Sequence, residues 1–260
     1  MRVATWNING MNARLDFILH WLAARQPDVV ALQELKMTDE RFPVGAFQSA
    51  GYHAITHGQK SWNGVALLSR QPGAVLQRGV PRQDDLGSRL ITGRFGDLVV
   101  TSVYCPNGKT LEHEDFGRKL TWYEDFVAHL PVHHKADSAS ILCGDFNICP
   151  SPLDTWRNKG GDGLMFCSME ERAAFARLLE HGLTDAYRLV KPDGNEFSWW
   201  DYRGGSFHKK QGLRIDFLLT TDSIAERIED VVIDREYRKK KDGLTASDHA
   251  PVWLDLYSRL

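Results

Sequence analysis

Short apolar runs of five to seven residues recur along the chain and are the clearest regularity in its sequence. They are rich in β-branched and aromatic residues, and several are apolar nearly throughout, which is typical of strands buried on both faces of a sheet. We therefore predict eight β-strands. They span residues 3–8, 29–33, 64–69, 90–95, 98–104, 140–146, 214–220 and 252–257.

Three stretches between these runs have helical periodicity. Apolar residues at i, i+3, i+4 and i+7 predict a helix over residues 12–25, and a similar spacing predicts a second helix over residues 116–130. A third begins at Ser168, which with Glu171 has the spacing of a capping box, and is expected to end at Gly182. Strands and helices thus alternate along the whole chain, which predicts an α/β architecture with helices packed on sheets.

Composition narrows the class of protein but not its function. The 260 residues are 42% hydrophobic and 25% charged, as in soluble globular proteins, which excludes a disordered or fibrous chain. No repeat, low-complexity tract or linker divides the chain, so we predict one domain over residues 1–260. The formal net charge of −2 gives no overall basic field, and any surface that binds anions must therefore be local.

The amino terminus and the cysteines bear on cellular location. The chain runs directly from Met1 into a predicted strand, without the apolar segment of a signal peptide, and no apolar stretch reaches the ~18 residues of a membrane span. The four cysteines include no C-x-x-C pair and are too sparse for a disulfide scaffold, so we expect reduced thiols. These features predict a cytoplasmic protein that does not associate with membranes.

Two stretches depart from the even distribution of charge. Residues 235–241 carry five basic residues and one acidic residue, and residues 199–214 carry four basic residues and one acidic residue. The second stretch also contains Trp199, Trp200 and two further aromatic residues. A basic run is by default a solvated loop and a tryptophan is by default part of the core, but basic and aromatic residues together also suit a nucleic-acid surface.

Polar side chains follow several predicted strands at the point where each strand ends. The apolar part of the first strand, residues 3–6, ends in Asn7 and Asn9, and that of the sixth strand, residues 141–143, ends in Asp145 and Asn147. Residues i and i+2 of a strand share a face, so each pair is expected to aim at one point. Further polar residues near strand ends are Glu34, Tyr104, Asn107, Asp216, Asp248 and His249. Each one alone would be read as a turn former or a structural residue, but as a set they predict a functional site.

The residue types in this set favour a particular class of metal. Carboxylate and amide oxygens suit magnesium or manganese, whereas the cysteine and histidine spacing of a zinc site is missing. The candidate oxygen donors are Asn7, Glu34, Asp145, Asn147 and Asp248. The sequence also contains no glycine-rich phosphate loop, nucleophile elbow or dinucleotide fingerprint.

Seven short motifs carry a resemblance to a known family. They are NING at 7–10, QELK at 33–36, GVALLS at 64–69, YCPNG at 104–108, GDFN at 144–147, GLRIDFLL at 212–219 and SDHAPV at 247–252. In this order they resemble the exonuclease III family of apurinic/apyrimidinic endonucleases over nearly the whole chain, and SWWDYR at 198–203 is the narrowest of the shared tracts. The chain departs from the family pattern at Ala246, where proline is frequent, and residues 150–166 correspond to a variable segment.

The resemblance implies a fold and an activity. The fold is a four-layer α/β sandwich, in which two mainly antiparallel β-sheets face each other and helices flank them. The activity is metal-dependent phosphodiester hydrolysis in DNA, 5′ to abasic sites and at 3′ ends, where nucleotides or blocking groups are removed. The implied cofactor is Mg²⁺, with Mn²⁺ as a substitute. The implied partner is double-stranded DNA with abasic sites, nicks or blocked 3′ ends, bound by a monomer.

The resemblance also implies catalytic roles. Asp145 would deprotonate the attacking water, and Asn147 would hold that water or a phosphate oxygen. Asp216 would orient a protonated His249, which together with Tyr104 would donate hydrogen bonds to the phosphate or the leaving oxygen.

Further residues are implied to bind the metal and the DNA. The implied metal ligands are Asn7, Glu34, Asp145, Asn147, Asp248 and His249, and one-metal and two-metal arrangements both remain open. Asn9 and Lys36 are their implied neighbours. Trp199 and Leu213 would form a pocket for a flipped abasic sugar. The residues implied to contact the DNA backbone are Asn107, Lys109, Arg203, Lys209 and Lys210.

Two alternative functions remain. The first is a related phosphodiesterase or phosphatase, such as a secreted deoxyribonuclease, a sphingomyelinase, an inositol-phosphate phosphatase or an RNA deadenylase. The missing signal peptide and the sparse cysteines disfavour a secreted enzyme, and the tracts SWWDYR and GLRID disfavour the rest. The second is a DNA-binding module without catalysis, which predicts altered catalytic positions, whereas all of them are present.

Overall fold

The computed structural model describes residues 1–257, so residues 258–260 at the end of the predicted domain lie outside the described residues. The strands are β1 (Arg2–Asn7), β2 (Val29–Gln33), β3 (His53–His57), β4 (Val65–Ser69), β5 (Ala74–Arg78), β6 (Leu90–Phe95), β7 (Leu98–Tyr104), β8 (Ser140–Asp145), β9 (Thr184–Asp185), β10 (Asp216–Thr220), β11 (Ile228–Ile233) and β12 (Val252–Leu256). The α-helices are α1 (Met11–Arg25), α2 (Val44–Ser49), α3 (Glu114–His129), α4 (Met169–Glu180), α5 (Ala186–Val190) and α6 (Asp222–Ala225).

The strands form two sheets of six strands each. The first sheet has the order β11-β12-β1-β2-β4-β3, and the second has the order β5-β6-β7-β8-β10-β9. Each sheet contains one parallel pair, β1 with β2 and β7 with β8, and its other pairs are antiparallel. The predicted architecture of two mainly antiparallel sheets flanked by helices is therefore confirmed.

Three apolar clusters define the four layers. One cluster contains inward-facing residues of both sheets, such as Ala31 of β2 and Val100 of β7, and fills the space between the sheets. A second packs α1 against the outer face of the first sheet and includes Trp6 and Trp21. A third packs α3 and α4 against the outer face of the second sheet. The alternation of strand side chains thus gives every central strand two buried faces.

All eight predicted strands are present, and the structure contains four more. The additional strands are β3, β5, β9 and β11, and they are the four edge strands of the two sheets. Edge strands are partly solvent-exposed, so their sequences mix polar and apolar residues and lack the continuous apolar run of a central strand. The hydrophobic pattern therefore located the interior of both sheets and missed their edges.

The three predicted helices are also present, with small shifts at their ends. The Ser168 hydroxyl accepts the Glu171 backbone N–H at 3.1 Å, and the Glu171 carboxylate accepts the Ser168 N–H at 3.1 Å, so the capping box of α4 is confirmed. Helix α3 begins two residues before the predicted start, where the His113 ring accepts the Asp115 N–H at 3.0 Å. Among residues 1–257, no helix has the length and apolar character needed to cross a membrane.

Arg214 is buried, unlike the other three basic residues of the stretch 199–214. Its side chain is buried and donates to the Asp154 carboxylate at 2.7 Å and to the Asp185 carboxylate at 2.8 Å and 3.1 Å. Arg188 also donates to Asp154. The charge of Arg214 is therefore neutralised by carboxylates in the interior. The Arg214 side chain connects the segment that follows β8 to the start of α5.

Replacing Arg214 by methionine should lower the free energy of unfolding by about 3–5 kcal/mol, because two buried carboxylates lose their principal cationic partner. Urea denaturation measures the change. The matched control is Arg203→Met, since the side chain of Arg203 is 92% exposed and its removal should leave stability nearly unchanged. Equal stabilities of the two variants would contradict this assignment.

Candidate active site

The predicted polar residues meet at one end of the sandwich. The β7–β8 pairing places Tyr104 beside Asp145, and the β8–β10 pairing places Asp145 opposite Asp216. Asn7, at the end of β1, donates through Nδ2 to Glu34 Oε1 at 2.8 Å and to Asp145 Oδ2 at 2.9 Å. One amide group therefore links a carboxylate of the first sheet to a carboxylate of the second.

Glu34, Asp145 and His249 form the group of side chains suited to hold a metal ion. One ligand atom from each lies within 4.8 Å of the other two. The Oδ1 atom of Asn7 accepts the Asn9 N–H at 3.0 Å, while its Nδ2 connects the two carboxylates. Two converging carboxylates with hard oxygen donors fit Mg²⁺ or Mn²⁺.

His249 is paired as predicted with Asp216. Its Nδ1 lies 2.9 Å from Asp216 Oδ2, and the Ser198 hydroxyl donates to the same oxygen at 2.6 Å. Burial alone would lower the pKa of His249, but the charge and hydrogen bond of Asp216 outweigh it and raise the pKa to about 10. Asp216 thus holds one ring nitrogen of His249, and the other, Nε2, lies 3.8 Å from Asp145 Oδ2.

Asp145 and Tyr104 have shifted acidities with a common cause. Burial raises the pKa of Asp145, while the neighbouring His249 charge lowers it in partial opposition. Burial and the charges of Glu34 and Asp145 raise the pKa of the Tyr104 phenol well above its ordinary value. Tyr104 therefore remains a hydrogen-bond donor at neutral pH, and Asp145 is a stronger base than an exposed aspartate.

The expected strand alternation does not extend to Asn9 and Asn147. Both residues have left-handed backbone conformations, with φ of 48° and 50°, so the chain has already left the strand at these positions. Asn9 donates to Asp248 Oδ1 at 2.9 Å and accepts from the Lys36 ammonium at 2.6 Å. Asn147 donates through its side chain to the Cys105 carbonyl at 2.9 Å, and its backbone N–H donates to Asp145 Oδ1 at 2.9 Å.

Asp248 lies beside the group formed by Glu34, Asp145 and His249. Its two carboxylate oxygens accept from Asn9 and from the Trp199 indole N–H, the latter at 3.0 Å. The Trp199 ring centroid is 6.5 Å from that of His249. Leu213 pairs with Trp199 through two backbone hydrogen bonds of 2.9 Å. The two predicted pocket residues are therefore neighbours, half-buried and close to the catalytic histidine candidate.

The side chains predicted to contact the DNA backbone are exposed and belong to two separate segments of the chain. Arg203, Lys209 and Lys210 lie on the loop between Trp200 and Gly212. Asn107 and Lys109 follow Tyr104, and Lys109 pairs with Asp115 at 2.7 Å.

The basic run 235–241 is more than a solvated loop. The guanidinium of Arg235 lies over the Phe207 ring at 4.3 Å, and that of Arg238 lies over the Tyr202 ring at 4.9 Å. Cation–π contacts thus join the two basic stretches into one surface.

Arg89 is a site residue that sequence reasoning missed. Its guanidinium donates to the Tyr104 carbonyl at 3.2 Å and lies 5.0 Å from the centre of the Tyr104 ring. It lines a cleft of about 440 Å³ beside Tyr104, together with Trp62, Lys109 and Arg118. An arginine directly before a strand has no distinctive spacing, so no sequence signal separates Arg89 from a surface residue.

The raised pKa of His249 predicts how stability depends on pH. The folded protein keeps this proton up to about pH 10, whereas the unfolded chain releases it near 6.5. The stabilisation is therefore fully present below pH 6.5 and is lost as pH rises toward 10.

Urea unfolding in EDTA, at several pH values across this interval, should show a loss of at most about 1.4 kcal/mol per pH unit from this group. The His249→Gln variant should lack that component. A slope unchanged by this substitution would contradict the assigned charge.

Comparison with known proteins places the chain in a family. Residues 4–249 match the profile of the Endonuclease/Exonuclease/phosphatase family. Over 273 aligned positions the chain is 38% identical to exodeoxyribonuclease III of Haemophilus influenzae. The alignment covers 98% of this chain and 99% of that protein.

Solved structures agree with this assignment. The 3′ phosphatase NExo from Neisseria, bound to a product DNA hairpin, has a TM-score of 0.93 and 36% identity over 99% of this chain and 100% of that one. An AP endonuclease from Archaeoglobus fulgidus has a TM-score of 0.93 and 29% identity over 98% of this chain and 99% of that one. The chain therefore belongs to the Endonuclease/Exonuclease/phosphatase family.

Proposed function

We propose that this chain is a metal-dependent DNA-repair phosphodiesterase, which cleaves the backbone 5′ to abasic sites and removes nucleotides or blocking groups from 3′ ends. The observation that carries the proposal is the convergence of Glu34, Asp145, Tyr104 and the Asp216–His249 pair at the end of the sandwich. Relatives named exodeoxyribonuclease III, 3′ phosphatase and AP endonuclease support DNA as the substrate.

The side chains supply the groups that phosphodiester hydrolysis requires. A water molecule attacks the phosphorus in line with the leaving 3′ oxygen, and the products are a 3′-hydroxyl and a 5′-phosphate. Asp145 accepts the proton of the water, because its carboxylate is buried, basic and held by the Asn147 N–H. His249 and Tyr104 donate hydrogen bonds to the phosphate oxygens, where negative charge increases during the reaction.

Glu34 and Asp145 would hold the Mg²⁺ ion, for which Mn²⁺ could substitute. The ion would supply positive charge that offsets the charge of the phosphate and of the leaving oxygen. Lys36 lies 3.0 Å from Glu34 Oε2 and fixes that carboxylate on its other side. Asp248 would be a further ligand, and its two oxygens are oriented by hydrogen bonds from Asn9 and Trp199.

Selection of damaged DNA would rest on two residues next to His249. Trp199 and Leu213 form apolar walls that accept a sugar without its base and exclude an intact nucleotide. The exposed cations Arg203, Lys209 and Lys210 hold flanking phosphates without reading the sequence.

The proposal also includes the domain organisation, the oligomeric state and the cellular location of the enzyme. The enzyme acts as a single catalytic domain over residues 1–260, a proposal supported by an apolar cluster that contains residues of both sheets. It works as a monomer on double-stranded DNA in the cytoplasm. The buried free thiols Cys105, Cys143, Cys149 and Cys167 are compatible with a reducing compartment.

Product analysis on abasic, nicked and 3′-phosphate duplexes tests the function. Cleavage should require Mg²⁺ and stop in EDTA, because the ion would supply the positive charge that offsets the charge of the phosphate and of the leaving oxygen. Asp145→Asn should lower turnover by about 10²- to 10⁴-fold and keep DNA affinity, since it removes the base and preserves its size.

The matched control is Asp193→Asn, at an exposed position away from the site. A phosphorylated inositol and sphingomyelin should remain intact, which separates this enzyme from its sister phosphodiesterases. Full turnover in EDTA, or an equal loss of binding and turnover in Asp145→Asn, would refute the mechanism.

Trp199→Ala should relax the discrimination between abasic and base-bearing nucleotides by about 10- to 200-fold, because the enlarged pocket excludes less. Competition between the two duplexes measures the ratio. Tyr257→Ala is the control, since Tyr257 is 56% exposed and follows β12 at the end of that strand away from His249. A lowered melting temperature with unchanged discrimination would instead assign Trp199 to the core.

A further inference from the structure

Helix α3 directs two buried donors at the turn that follows Asp145. Tyr123 donates its hydroxyl to the Phe146 carbonyl at 2.5 Å, and the Lys119 ammonium donates to the Asn147 carbonyl at 2.7 Å. The two residues are four positions apart, so they project from one face of the helix. Both are fully buried. Neither belongs to the set of residues predicted from the sequence.

We propose that Lys119 and Tyr123 are positioning residues that keep Asp145 and Asn147 in their reactive geometry. This inference rests on the proposed hydrolytic function of the same site. It concerns residues that touch neither substrate nor metal and that act through the backbone of the turn.

Tyr123 acts on Asp145 through a single peptide group. The carbonyl of the Phe146–Asn147 peptide accepts from Tyr123, and the N–H of the same peptide donates to Asp145 Oδ1 at 2.9 Å. Because a peptide group is planar, holding the carbonyl also fixes the direction of the N–H. Loss of the Tyr123 hydroxyl would let this plane rotate and would loosen the carboxylate that activates the water.

The turn requires such support because of its conformation. Asn147 has a φ of 50°, in the left-handed region of backbone conformation that residues other than glycine seldom adopt. Strand β8 ends at Asp145, so the next carbonyls have no partner in the sheet ladder. Donors from another element must therefore satisfy them, and α3 supplies both.

Lys119 joins two loops of the site. Its three N–H bonds go to the Asn147 carbonyl, to the Asn107 carbonyl at 3.3 Å and to the Glu171 carboxylate. Glu171 neutralises the ammonium and also caps α4. Asn107 and Asn147 follow β7 and β8, so one buried cation fixes the relative positions of the segments after two neighbouring strands.

The decisive comparison is between Tyr123→Phe and Tyr52→Phe. Tyr52 is also buried and also donates to a backbone carbonyl, that of Pro27 at 2.8 Å, but it packs with α1 and the outer face of the first sheet. Each substitution removes one hydroxyl and one hydrogen bond to the backbone. Tyr123→Phe should lower kcat on an abasic duplex by about 10- to 100-fold with KM unchanged, and Tyr52→Phe should leave both constants unchanged.

A second variant tests Lys119 without leaving an unpaired buried charge. The double substitution Lys119→Met with Glu171→Gln removes both charges, and it should lower kcat in the same way with KM unchanged. The inference is overturned if Tyr123→Phe and the double variant retain the kcat of the wild type. It is also overturned if Tyr52→Phe lowers kcat as much as Tyr123→Phe, since the loss would then reflect general loosening.

Amide hydrogen exchange separates this inference from the proposed function. Exchange at Asn147 should be faster in Tyr123→Phe than in the wild type and unchanged in Tyr52→Phe, because the peptide plane is no longer held. This measurement needs no turnover. A wild-type protein that cleaves none of the DNA substrates would refute the proposed function, whereas unchanged exchange at Asn147 would refute the positioning role.

Discussion

Asp145 and Asp216 lie directly opposite each other where β8 pairs with β10, and both side chains are buried. Two like charges in this arrangement repel each other, and burial increases the cost of ionising either one. His249 lies between them, with Nδ1 2.9 Å from Asp216 and Nε2 3.8 Å from Asp145. Its positive charge allows a carboxylate pair to remain in the interior, and the arrangement of the other polar groups depends on this compensation.

The site consequently depends on the contact between the two sheets. Asn7 and Glu34 belong to the first sheet, Asp145 and Asp216 to the second, and His249 lies just before β12 of the first. The hydrogen bond from Asn7 to Asp145 and the approach of His249 to Asp216 both cross from one sheet to the other. The apolar cluster between the sheets sets these distances, because a close-packed core resists sliding. Core packing and catalytic geometry are therefore coupled in this fold.

The sequence allowed the interior of each sheet to be predicted, because strands buried on both faces are continuous apolar runs. Polar residues at the ends of those runs also identified Asn7 and Asp145 as members of one site. Orientation could not be derived where the backbone turns left-handed, as at Asn147. The buried ion pairs of Arg214 could not be predicted either, because its partners, Asp154 and Asp185, are distant in the sequence. Helical periodicity places Tyr123 in an apolar stripe and gives no indication of its hydroxyl contact.

The features that the sequence did not predict have one physical origin. Reactive side chains lie at the ends of strands, as Asp145 does, or just beyond them, as Glu34 and Asn147 do, because a group in the middle of the sheet cannot reach the substrate. Beyond the strand end, the backbone has no ladder partners. Hydrogen bonds between segments that lie at neighbouring strand ends supply some of the missing partners. The N–H of Gly10 donates to the carbonyl of Glu34, and the N–H of Phe146 donates to the carbonyl of Ile215. Where no neighbouring strand end can supply a partner, buried side chains from α3 supply it. The precision of the site is thus a property of backbone segments that follow the strands, held by contacts that no local sequence pattern encodes.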